Sequence, residues 1–169
     1  SRDVKSWCDE IVKRLGSDVE IVLGGVSLGA STVLMAADLE LPNVKGIIAD
    51  CGFISCKEII IDVMRQRHIP FSRLFAFIIG IYCKIFGKFK IEEKTCPKSL
   101  SKTNIPILLI HGINDDFVPY KCSVENFKYV NSKIKDFLTI DANLHGASYF
   151  ENPELYIKTI LDFLEKINF

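Results

Sequence analysis

Four short runs of aliphatic and β-branched residues punctuate this chain, and helical periodicity fills the segments between them. The runs are Val19 to Gly25 (VEIVLGG), Val44 to Asp50 (VKGIIAD), Ile105 to Gly112 (IPILLIHG) and Lys135 to Asp141 (KDFLTID). They read as strands. They are apolar throughout rather than alternating, as strands covered on both faces are. Strand–helix–strand order implies right-handed crossovers, hence a mostly parallel α/β sheet with flanking helices. The helical segments carry matching signals. Val4, Trp7, Cys8, Ile11, Val12 and Leu15 recur at helical spacing and stop at Gly16. Ala30, Val33, Leu34 and Ala37 mark one face of a second helix, and Tyr120 to Val130 reads as another. Asn152 caps a last helix with Pro153 at its first position, a favoured pairing.

The rhythm breaks once. Residues 53–103, rich in Phe and Ile, separate the second and third runs, which is too long for a plain crossover. A helical cap inserted into the core is expected there. Its most apolar stretch, Leu74 to Phe86, has 13 residues and contains Lys84, so it is too short to span a bilayer. A buried helix or a cap element is the expected reading.

With 169 residues, the chain is most simply one domain, residues 1–169, long enough to bury a core. The 21 basic residues balance 21 acidic ones, which leaves no electrostatic footprint for nucleic acid. None of the six cysteines forms a CxxC pair, and the histidines offer no zinc pattern. Several lie in apolar runs, where a thiol behaves as a small hydrophobe. Reduced core cysteines and a cytoplasmic setting are expected.

Ser27 lies where the first strand turns into the second helix, between Gly25 and Gly29. A serine on a sharp strand-to-helix bend needs small neighbours, because the backbones crowd there. The bend lifts Oγ above the sheet, and the N–H of Leu28 points at a developing oxyanion near the positive end of the helix. A hydroxyl is a poor nucleophile without a base. Of three histidines, His68 lies in the cap region, His111 closes the third strand, and His145 follows the fourth beside Gly146 and Ala147. Catalytic loops gather at the carboxyl ends of parallel strands, so His145 is the candidate base. Asp115 and Asp116, after the third strand, are both candidates to orient it, the other being a turn cap. The order Ser, Asp, His is that of an α/β-hydrolase.

The segments GGVSLGAST, GIIADCGF, IPILLIHGINDDFVP and HGASYFENPELY carry a family resemblance. The chain resembles the C-terminal two-thirds of an α/β-hydrolase of the bacterial group related to serine aminopeptidases and dienelactone hydrolases. The resemblance implies a Ser27–His145–Asp115 triad, since Asp115 occupies the acid position of the HGxxDxxVP pattern. His145 matches the histidine of H-x-x-S-Y, with Ser148 and Tyr149 following, and His111 is then structural. It also implies a gap. Such sheets have eight strands and a second oxyanion donor from an earlier loop, whereas four strands are read here. The chain is therefore expected to be a fragment lacking the N-terminal strands, with Val19 to Gly25 left as an apolar sheet edge prone to pairing or self-association.

The expected function is serine hydrolysis of a small carboxylic ester or thioester. Ser27 acts as nucleophile, His145 as base, Asp115 orients the ring and Leu28 N–H stabilises the oxyanion. No metal or organic cofactor is implied. Phe71, Phe75, Phe77, Phe86 and Phe89 are expected either to line an acyl pocket or to glue the cap to the core. A peptidase on the same triad is the alternative, with Glu58, Asp62, Glu92 or Glu93 meeting a substrate amine. A non-catalytic binding protein is the third reading. Phe71 to Lys90 mixes apolar and basic residues, so peripheral contact of the cap with a membrane also stands as a reading.

Overall fold

The computed structural model describes residues 1–169. The order of elements is α1 (Arg2–Leu15), β1 (Ile21–Val26), α2 (Leu28–Ala36), β2 (Val44–Asp50), α3 (Cys56–Gln66), α4 (Ser72–Ile85), α5 (Cys96–Leu100), β3 (Ile107–Gly112), α6 (Lys121–Lys128), β4 (Lys135–Ile140), α7 (Ser148–Glu151) and α8 (Pro153–Lys166). The four strands form one sheet in the order β1–β2–β3–β4, every pair parallel. All four expected strands and the flanking helices are present, with ends shifted by a residue or two.

Alternation along β3 explains the layering. Ile107 and Leu109 join the larger core cluster with Leu34, Ala36, Ile47 and Leu100. Leu108 and Ile110 point to the other face, against Phe163 and Ile167 of the C-terminal segment. β3 is therefore buried at all six positions. β1 and β4 are sheet edges and are mostly half-buried, so the expectation of strands covered on both faces holds only at the sheet centre. Edge strands lose one neighbour whatever their composition.

Caps follow the sequence signals. Asn152 accepts the Leu155 N–H at the start of α8, Ser55 accepts Glu58 N–H at α3, and Thr95 accepts Lys98 N–H at α5. The long excursion between β2 and β3 carries α3, α4 and α5. Of the two readings of the Leu74 to Phe86 stretch, a buried helix or a cap element, the buried helix does not hold. In α4 only Ser72 and Ala76 are buried, while Leu74, Phe77, Ile78 and Ile85 are exposed. The five phenylalanines Phe71, Phe75, Phe77, Phe86 and Phe89 are likewise exposed, so they do not glue the excursion to the core. No helix is long and apolar enough to cross a membrane.

Candidate active site

Three strand ends converge. Ser27 follows β1, Asp115 lies in the loop after β3, and His145 in the loop after β4. Parallel pairing puts all three loops at one end of the sheet.

Ser27 sits at φ 55°, ψ −114°, a conformation that L-residues rarely hold. Its N–H donates to Asp50 O at 2.8 Å, which pins the bend to the end of β2. A Cβ on Gly25 would lie 2.4 Å from the Gly29 carbonyl carbon, whereas one on Gly29 would meet nothing within 4 Å. The two glycines are thus not equivalent. Gly25 permits the close approach of strand and helix, and Gly29 is the backbone that approaches. Leu28 opens α2, and its N–H finds no backbone acceptor in the chain.

Ser27 Oγ lies 2.7 Å from His145 Nε2. His145 Nδ1 lies 2.8 Å from Asp115 Oδ2 and 3.1 Å from Oδ1. A carboxylate only accepts, so Nδ1 carries the proton and donates it; Nε2 is then free to accept from the serine hydroxyl. Asp115 Oδ1 also accepts the N–H groups of Phe117 (2.9 Å) and Val118 (2.8 Å), and the Asp115 side chain is almost fully buried. Burial alone would raise its pKa. Hydrogen bonds from His111, His145 and these two backbone groups outweigh that and hold it well below the usual carboxylate range. The Asp115 hydrogen bond in turn raises the His145 pKa, against the opposing effect of its own burial.

Asp116 takes a different part. It accepts the His145 backbone N–H at 3.0 Å and so anchors the loop rather than the ring. Gly146 beside it adopts φ +71°, which a side chain would resist. His111 is fully buried; Nε2 donates to Val118 O at 2.9 Å and Nδ1 accepts from Ser123 Oγ at 2.6 Å. Nε2 thus holds the loop after Asp115, and Nδ1 ties β3 to α6. His68 lies exposed beyond α3.

Several neighbours carry no sequence signal that singles them out. Buried Asp50 accepts from Ser148 Oγ at 3.1 Å, which ties β2 to the segment after His145. Burial raises the Asp50 pKa. Phe117 packs on the His145 ring at 5.2 Å between centroids. Buried Cys51 places Sγ 4.0 Å from His145 Nε2. Cys51, Asp115 and His145 could offer one metal ligand each, with the ligand atoms within 4.8 Å of one another. Burial pushes the Cys51 thiol up to about 12, and both imidazole nitrogens already have hydrogen-bond partners. A surface groove of about 890 Å³ is lined by Leu41, Pro42, Asn104 and Ile134 at the opposite, amino-terminal ends of the strands.

No protein-family model matches the chain. Over 149 residues it is 28% identical to the uncharacterized protein YqkD of Bacillus subtilis strain 168, covering 88% of this chain and 48% of that protein. The Pyrococcus furiosus esterase Pf2001 is similar in structure, with a TM-score of 0.72 at 15% identity over 99% of this chain and 61% of that one. MGS-MChE2, an alpha/beta hydrolase enzyme from the metagenome of sediments of the Mar Chica lagoon, Morocco, gives 0.63 at 22% identity over 97% and 69%. The fold is that of the α/β-hydrolases. Within this α/β-hydrolase fold the chain spans about half the length of the curated relative, 48%. The Ser27 bend, the Asp115 loop and the His145 loop all lie within that span.

Proposed function

We propose that the chain carries the reacting centre of a serine hydrolase that cleaves a small carboxylic ester or thioester. The observation that carries this is the unbroken series Oγ–Nε2 at 2.7 Å and Nδ1–Oδ2 at 2.8 Å. Ser27 Oγ attacks the acyl carbon as its proton passes to His145 Nε2. Asp115 stabilises the imidazolium and fixes its orientation. The carbonyl oxygen becomes an oxyanion facing the Leu28 N–H at the start of α2. Collapse expels an alcohol or thiol, which takes the proton from Nε2 and leaves an acyl ester on Ser27. Water then attacks that ester through the same base, releasing the carboxylic acid and restoring Ser27. No step needs a cofactor.

Amide cleavage by an aminopeptidase-like reading would need an acidic group free for a substrate amine. Asp62 faces Arg65 and Lys121, Glu92 is paired with Lys57, and Glu93 with Arg2, which leaves exposed Glu58 as the acid that the peptidase reading would use. The six unpaired thiols fit a reducing compartment, and the cytoplasm is the proposed setting. The test is hydrolysis of a p-nitrophenyl ester series beside the matching anilides. Ester turnover that Ser27→Ala abolishes is expected, with anilides far slower. Turnover that survives Ser27→Ala would overturn the assignment.

A further inference from the structure

Helix α4 packs the wrong way round for a core helix. Its buried side carries Ser72 and Ala76, with Cys83 half-buried in the same line, and it rests on α3. Leu74, Ile78, Ile81 and Ile85 recur at i, i+4, i+7 and i+11, which places them in one stripe on the side away from Ala76. These four are between 43% and 61% exposed. Phe77 and Tyr82 widen the stripe, and Phe86 and Phe89 continue it beyond the helix, all exposed. Contiguous apolar surface of this kind marks a contact site.

The charges around the stripe indicate what it contacts. Arg65, Arg67, Arg73, Lys84, Lys88 and Lys90 fall within a stretch that contains no acidic residue from Val63 to Ile91, in a chain whose total charge is zero. Only Arg65 among them has an ion-pair partner, Asp62 at 3.9 Å. The next acids along the chain, Glu92 and Glu93, are engaged by Lys57 and Arg2. Arg73 and Lys84 lie eleven residues apart, on one flank of the stripe. An apolar stripe rich in aromatic residues and edged by unpaired cations matches the headgroup boundary of an anionic bilayer, where the apolar side chains enter the acyl region and lysines reach up to phosphates.

We infer that α4 and the Phe86–Lys90 segment dock this chain on an anionic lipid bilayer surface, with the Leu74–Ile78–Ile81–Ile85 stripe inserted and the surrounding cations on the lipid phosphates. Helix α3, on which α4 rests, reaches the candidate site. Gln66, at the end of α3, donates to Phe117 O at 3.1 Å, and Phe117 packs on His145. Docking does not depend on hydrolysis, so Ser27→Ala binds as the parent does.

The experiment is flotation of the whole chain with vesicles of mixed phosphatidylglycerol and phosphatidylcholine, beside pure phosphatidylcholine vesicles, at low and high salt. Binding to the anionic vesicles that salt weakens is expected. Lys84→Gln, Lys88→Gln and Lys90→Gln together lower that binding about 100-fold, at about fivefold per charge. Ile78→Ser with Ile85→Ser lowers it at unchanged charge. All five positions are exposed, and an unchanged thermal midpoint shows that the variants fold. Failure to float on anionic vesicles overturns the proposal, and so does equal binding to neutral ones. Elution as a dimer that Ile78→Ser with Ile85→Ser returns to monomer, without flotation, overturns it in favour of a second copy of the chain.

Discussion

Asp115 is the residue on which the others depend. Its carboxylate takes the His145 ring on one side and two backbone N–H groups on the other, with the buried His111 ring 3.5 Å away. Its pKa is lowered by these partners and that of His145 is raised by Asp115, so each has a signed consequence. The proposed base works as neutral imidazole. The rate kcat/KM should therefore rise with pH through an inflection above the ordinary histidine value of about 6.5. Asp115→Asn removes the charge that holds the proton on the ring. Its inflection should move down, and its turnover should fall by about 10⁴-fold. A pH–rate profile of the two proteins checks both, and an inflection that moves up would contradict the assignment. The same shifts bear on stability. The depressed Asp115 pKa adds stability above the ordinary carboxylate range, which is lost as pH falls through the folded-state value; the raised His145 pKa adds stability below about 6.5 that is lost as pH rises through its folded value. The residues themselves were legible as types at strand ends. The choice between Asp115 and Asp116 was not legible from the residues alone, because both fit a turn after β3. Side-chain direction separates them, one reaching the ring and the other the His145 N–H.

At the scale of elements, the β1–α2 bend sets the geometry. Its narrowest point is Gly25, where a Cβ would collide with the backbone of Gly29 and Ala30 at 2.4–2.6 Å. Gly25→Ala should destabilise the fold by about 3 kcal/mol, since backbone rather than a flexible side chain would have to give way. Gly29→Ala has open space and sits in a helix, so it should be neutral or stabilise by up to about 1 kcal/mol. Urea unfolding of the two variants separates them, and equal losses would refute this reading of the bend. A GxSxG pattern treats its two glycines alike; only the approach of β1 to α2 distinguishes them. Helix α4 is the element that sequence described least well. Apolar residues nearly all round a helix read as burial. Periodicity does not say which side meets a partner, and here the small residues take the contact with the body while the large ones face outward.

Across the whole molecule, the site exists because the sheet is parallel. Ser27 and His145 are 118 residues apart in sequence, yet their reacting atoms are within hydrogen-bond distance. The apolar runs foretold strand number and direction, since their composition and the helices between them admit little else. Composition alone did not mark the edges, but the family resemblance implied that Val19 to Gly25 would be one, and β1 is. β1 pairs only with β2, so one side of the strand that carries Ser27 meets no other strand. The central claim is that Ser27 is already activated in this arrangement, with base, orienting carboxylate and oxyanion donor in one folded unit. The direct measurement is intact mass after exposure to a fluorophosphonate, followed by peptide mapping. One adduct on Ser27, absent from Ser27→Ala and strongly slowed in Asp115→Asn, is the predicted result. A folded chain that takes up no adduct, or one labelled elsewhere, would contradict it.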